Sequence, residues 1–327
     1  MANNRFRYTD HAKQRGLALV IVIWILTLLT LMAGSFAMSM RRDNSVSLAI
    51  KTSAEASALA ESGIVLAQFM LLQSDPELRW QPNVVYRVVN PDSEIRIRVL
   101  SETGKIDINT SDETQLAALI NWIVADEWEG QRLLNAILDW RDADDDTRTL
   151  GAEKRQYRLA GLSYGPTNSV FQSLDELQLV LGMNEEIFSR MQPFITVYSG
   201  KTEVDLQYAS PQLLTILAKE LKGRNIDDTA LKNRLDQVND GETNELMDSG
   251  AALGSQNQTY TIDAEAIVQG EGSAGLEVIT KSQGSAMGTP FQVLDWKQTV
   301  NGPSLFDEAI EYPVITIQDE FRYDDRY

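Results

Sequence analysis

The chain has 327 residues, 43% of them apolar and 23% charged, which excludes a disordered tail and is enough for two modest domains with cores of their own. It has no cysteine and one histidine, His11 near its start, so disulfides, thiolate nucleophiles and cysteine-ligated zinc or iron–sulfur centres are excluded. The net charge is −18, and residues 1–16 carry four cations against one anion, which leaves −21 on the remaining 311; so acidic a body repels phosphate backbones, and no nucleic-acid partner is expected.

Leu17 to Met40 is a run of 24 residues without a charged side chain. As a helix it is long enough to cross the roughly 30 Å hydrocarbon core of a bilayer. The basic residues before it direct the start of the chain to the cytoplasm, a bias that Arg41 and Arg42 on the far side weaken, so the acidic body is expected outside. A cleaved secretory signal would have a shorter apolar region ending at a small-residue site. Here the helical spacing of Ala, Leu, Ile and Val continues from Ser45 to Leu72, which predicts one long helix that leaves the membrane and becomes amphipathic.

Beyond the helix, residues 84–90 and 94–100 read as a hairpin around Asn90-Pro91-Asp92-Ser93, with Ile95, Ile97 and Val99 alternating against Arg96 and Arg98. Residues 259–268, 275–281 and 291–297 read as further strands, so a sheet begun before residue 101 resumes after residue 257. The stretch between is helical. Thr110 with Glu113, and Ser173 with Glu176, have capping-box spacing, and Ser210 before Pro211 supplies an N-cap and a first-turn proline. The segment KIDINTSDETQLAAL is echoed at EVDLQYASPQLLTIL, pairing Ile108 with Leu206, Leu116 with Leu214 and Leu119 with Leu217. Such an echo is also found in DNA-binding helix-hairpin-helix units, but the glycine-rich turn that cradles phosphate is missing after Leu119.

One cluster offers chemistry. Asp139, Asp142, Asp144, Asp145 and Asp146 fall within eight residues, and Glu153 follows. Counted from Asp142, carboxylates stand at positions one, three, five and twelve of a calcium loop, although Thr147 occupies the sixth place, where a glycine makes the sharp turn. Two readings stay open: a structural calcium site made by Asp139, Asp142, Asp144, Asp146 and Glu153, or a solvated acidic turn between helices. Trp122, Trp128 and Trp140 lie among helical apolar positions and read as core, and residues 311–327 as an exposed or edge-lying tail. No serine lies in a nucleophile elbow and His11 is expected to be removed, so no catalytic residue is assigned.

The junction Gln14-Arg15-Gly16 before Leu17-Ala18-Leu19-Val20-Ile21 resembles a type IV prepilin leader. That resemblance implies that prepilin peptidase cuts after Gly16 and methylates Leu17. Most pilins and pseudopilins carry a glutamate at the fifth mature position, where this chain has Ile21. Together with the sheet and the helical insert, this is similar to the K subunit of the type II secretion pseudopilus, a minor pseudopilin that caps the filament tip and has no subunit above it to neutralise. The resemblance implies an α+β fold: a pilin-like helix and antiparallel sheet, interrupted by a large all-α SAM-like insert. The divisions are 1–16 leader, 17–72 helix, 73–103 first part of the sheet, 104–254 insert, 255–300 rest of the sheet and 301–327 tail. It further implies calcium in the insert, the I and J minor pseudopilins as partners, a part in protein export across the outer membrane, and a single-pass place in the inner membrane of a Gram-negative bacterium with the body in the periplasm. A minor pilin of a type IV pilus and a membrane-anchored periplasmic enzyme are the alternatives.

Overall fold

The computed structural model describes residues 15–73, 75, 78–223, 229–239, 258–269, 272–283, 289–306 and 314–318. Expectations that fall on the leader before Arg15, on residues 240–257 and on the end of the tail lie outside these residues.

A single helix, α1, runs Arg15–Leu71 and changes partner along its length. Its large apolar side chains from Leu19 to Ile50 are exposed, whereas Thr52, Ala56, Ala60, Ile64, Ala67 and Leu71 are buried. That spacing of three and four puts the second group on one stripe, and its small side chains let the helix lie close to a sheet. The helix is apolar and long enough to cross a membrane.

The sheet has six strands in the order β7-β6-β5-β2-β1-β8. β1 (Val85–Asn90) and β2 (Ser93–Ser101) form the expected hairpin, closed at Asn90 opposite Ser93. β5 (Thr259–Val268) pairs antiparallel with β2, so the sheet does resume after the helical stretch, and β6 (Gly272–Ser282) and β7 (Phe291–Val300) extend it. Ile95, Ile97, Val99, Ile262, Ala264, Leu276 and Val278 face α1 and make one core with Ala60, Ile64 and Ala67. The expectation of an antiparallel sheet needs one correction. Part of the tail forms β8 (Val314–Gln318), which lies parallel to β1 at the sheet's edge.

Between β2 and β5 stand α2 (Glu113–Ile123), α3 (Glu127–Arg141), α4 (Lys154–Leu159), α5 (Glu185–Met191), α6 (Pro211–Gly223) and α7 (Thr229–Asn239). The region is not wholly helical, because β3 (Ile106–Asp107) and β4 (Ile195–Thr196) pair as a short parallel ladder. Ile108, Leu116, Leu119, Leu214 and Leu217 are buried in its core and Leu206 packs against it, so both copies of the sequence echo serve one centre. Ser210 caps α6 as expected, its Oγ accepting from Leu213 N at 3.2 Å. At α2 the cap is instead Asp112, whose carboxylate accepts from Thr114 N, while the Thr110 hydroxyl donates to Lys201 O across the fold. Ser173 makes no side-chain cap, and Glu176 accepts from Gln172 N. Of the three tryptophans expected in the core, Trp122, Trp128 and Trp140, only Trp140 lies there. Trp122 and Trp128 are exposed, with Arg190 and Arg132 lying over their rings.

Candidate functional site

The acidic run begins in the last turn of α3 and ends where α4 starts. Asp139 is fully buried, because the apolar positions Leu133, Ile137 and Trp140 set the face of α3 that turns inward. Its oxygens accept from Arg148 N at 3.3 Å, and Arg148 Nε lies 3.3 Å away. The loop closes tightly over this carboxylate. A Cβ on Gly151 would stand 2.1 Å from Asp139 Oδ2, so only glycine fits there.

Asp142 ends α3 and is half-buried; Arg148 Nη2 reaches its Oδ2 at 3.4 Å, and its Oδ1 is buried without a hydrogen-bond partner. Asp144 and Asp146 are exposed, and Asp144 Oδ1 accepts from Asp146 N at 2.9 Å, which turns the chain locally. Asp145 pairs with Lys154 at 2.7 Å and accepts from Asn168 Nδ2. Glu153, the N-cap of α4, is 3% exposed, and both its carboxylate oxygens are buried without a hydrogen-bond partner.

The electrostatics follow. Burial pushes the Glu153 carboxyl up to about 7, and the negative charges of Asp139, Asp142 and Asp145 add to the effect. Burial likewise raises Asp139 against two backbone hydrogen bonds, and raises Asp142 with help from Asp144. The loop is therefore a place of negative charge taken out of water with too few donors.

The structure gathers the expected residues into one loop without focusing them on one point. Among the described residues no three carboxylates converge to hold an ion. Arg148 is the physical reason: its guanidinium and backbone N–H occupy the Asp139 and Asp142 oxygens, while Asp144 and Asp146 face solvent. The donor set still suits a hard cation, with three orphaned carboxylate oxygens on Asp142 and Glu153 and two free-facing aspartates between them. Sequence reasoning missed Arg148 and Asn168; a cation two places after the acidic run was the signal for the first, and the second lies too far along the chain to have one. The remaining expected positions, Gly16, Leu17 and Ile21, lie on α1, with Ile21 exposed.

Residues 94–200, from β2 through β4, match the family described as type II secretion system, protein K. A type II secretion system protein K of Aeromonas hydrophila is 25% identical over 239 residues, covering 63% of this chain and 70% of the relative. One of Klebsiella pneumoniae is 23% identical over 228 residues, with the same coverage. A chain in the crystal structure of the GspK-GspI-GspJ complex from enterotoxigenic Escherichia coli is similar at a TM-score of 0.48 and 15% identity, covering 81% of this chain and 99% of that one. The matched family and both relatives carry the name protein K, the subunit that the sequence resembles.

Proposed function

We propose that this chain, which carries the type II secretion system protein K domain over residues 94–200, is a minor pseudopilin that caps the tip of the secretion pseudopilus and works by assembly rather than catalysis. One observation carries the reading. On a body with that domain, α1 buries its second half against the sheet and leaves an apolar first half exposed, a surface that water does not tolerate and that a bilayer or a bundle of like helices would cover. The division into leader, helix, split sheet, insert and tail is part of the proposal, as are the inner-membrane anchor, the periplasmic body, cleavage by prepilin peptidase after Gly16, and the I and J minor pseudopilins as partners. Ile21 fits a tip subunit, since a carboxylate there would be buried unpaired with no subunit above.

Mass spectrometry of the mature amino terminus tests the reading: methylated Leu17 is expected, and a chain that keeps Met1 would overturn it. Labelling along assembled pseudopili tests the position, with signal expected at one end; signal spread along the shaft removes the tip assignment.

Calcium in the acidic loop belongs to the same proposal. Glu153 and Asp142 supply the orphaned oxygens, Asp144 and Asp146 swing inward, and the ion's role is structural: it turns mutual repulsion into a clamp. Calcium is expected to raise the melting temperature of the purified chain and Asp142→Ala to abolish that rise. Equal melting in calcium and in chelator would remove the metal.

A further inference from the structure

The helical core and the sheet core share no residue. Ile106, Leu116, Trp140 and Leu213 belong to one cluster, and Ala60, Ile97, Ile262 and Val278 to the other. Between them lies a cleft of about 600 Å³ with a mixed lining, in which Arg98, Lys105, Glu277 and Lys297 stand beside Leu100, Leu174 and Leu294. No cluster of buried apolar residues spans both parts, so polar contacts across the joint carry weight.

Glu102, the residue after β2, is 1% exposed and has both oxygens taken. Oε1 accepts from Lys105 Nζ at 2.6 Å and from Thr261 Oγ1 at 2.6 Å; Oε2 accepts from Thr196 Oγ1. Thr261 lies on β5 of the sheet and Thr196 on β4 among the helices, so one carboxylate spans both parts. Both hydroxyl residues are buried, so in this arrangement the carboxylate takes its donors from the chain. The backbone beside it is equally close. Asp205 N donates to Thr103 O at 2.8 Å, Asn83 Nδ2 donates to Tyr208 O at 3.2 Å, and a Cβ on Gly104 would stand 2.3 Å from Tyr208 O.

We infer that Glu102, with Thr196 and Thr261, is a buried latch that fixes the angle of the helical insert on the sheet, making the body one rigid piece instead of two hinged ones. At the latch both parts bind one charged group, and opening it would exchange short hydrogen bonds to the carboxylate for bonds to water. The inference rests on this geometry alone, so its failure would leave the family reading untouched.

The absence of cysteine makes the test direct, because introduced cysteines are the only ones to label. Spin labels at Glu186→Cys on α5 and Val293→Cys on β7, both exposed positions, report the distance between the parts in the full chain in detergent micelles. A single narrow distribution is expected for the otherwise unaltered chain. Thr196→Val with Thr261→Val is expected to widen it at least twofold, Glu102→Gln to widen it less, and Thr261→Ser to keep it narrow. Should the double valine variant fail to fold, Glu102→Gln, which keeps shape and volume, gives the comparison. A broad distribution in the unaltered chain, or equal widths in Glu102→Gln and the unaltered chain, overturns the latch.

Discussion

Glu102 and Glu153 are both buried glutamates at the mouth of a helical turn, 1% and 3% exposed, and the protein treats them in opposite ways. The first has three donors on its two oxygens, drawn from the sheet, from the helices and from Lys105. The second has no side-chain donor, only weak backbone contact from the first turn of α4, and faces other carboxylates. Taking a carboxylate out of water costs several kcal/mol unless partners replace the lost solvation, so burial alone does not say what an acid contributes. At the joint between the two parts the cost is met within the chain, and the acid is structural. In the acidic loop it is left open, and protonation of Glu153 or the proposed cation would close it.

Breaking the satisfied partner set should have the largest effect. Glu102→Ala leaves the Lys105 ammonium, 17% exposed, and two buried hydroxyls without their acceptor. Removal of one member of a buried charge pair typically costs about 3–5 kcal/mol, and urea denaturation of the purified chain should show a loss of that order. A loss below about 1 kcal/mol, the level of an exposed ion pair, would mean that the acid is held there without supporting anything.

Glu153→Gln should act in the other direction and more weakly. The folded-state pKa, raised to about 7, lies above the ordinary 4.5, so the native state prefers the protonated form. Its contribution to stability is complete below pH 4.5 and is lost as the pH rises through 7. In metal-free buffer at mildly alkaline pH, the glutamine variant should be more stable than the parent by about 1–3 kcal/mol, and the gain should vanish at acidic pH. Calcium is expected to stabilise only the parent, because glutamine offers no charge. Melting curves across pH, with chelator and with calcium, read both effects; a glutamine variant less stable than the parent at alkaline pH without metal would contradict the account of this loop.

The two glutamates also mark what the sequence could reveal. α1, the β1–β2 hairpin and strands β5 to β7 were readable because their patterns are local: a four-residue spacing, an Asn-Pro-Asp-Ser turn, alternation of apolar residues. The acidic loop was readable as composition and spacing. Its orientation was not, because that depends on Arg148 folding back on Asp139 and on Asp144 turning the chain by accepting from Asp146 N. Glu102 gave no signal. Its hydroxyl partners lie 94 and 159 residues away, and nothing in the motif Ser-Glu-Thr-Gly tells which strands will close around it. The parallel pairing of β8 was hidden for the same reason, since its register with β1 is set by a chain that returns from the opposite edge of the sheet. Caps failed where a nearer acid competed: Asp112 holds the place that Thr110 was expected to take.

A third acid sharpens the comparison by lying between the extremes. Glu94, at the start of β2, accepts from Arg87 Nη2 at 2.6 Å and from Arg96 Nε at 2.9 Å, so each of its oxygens has a donor, as in Glu102. The hydrogen bond from Arg87 is the main reason its carboxyl is held down at about 2, with Arg96 assisting against the effect of burial. With a folded pKa below the ordinary 4.5, its contribution is present above pH 4.5 and is lost as the pH falls through 2. The difference lies in the partners, because Arg87 and Arg96 remain 41% and 34% exposed, where water and salt screen the pairing. Glu94→Gln should therefore cost only about 1 kcal/mol near neutral pH, less in high salt, and nothing at strongly acidic pH. Urea midpoints at low and high salt measure this. If Glu94→Gln cost as much as Glu102→Ala, having a donor on each oxygen would decide the worth of an acid, and the burial of those donors, which separates the joint from the exposed Arg87 and Arg96 pairings, would not matter.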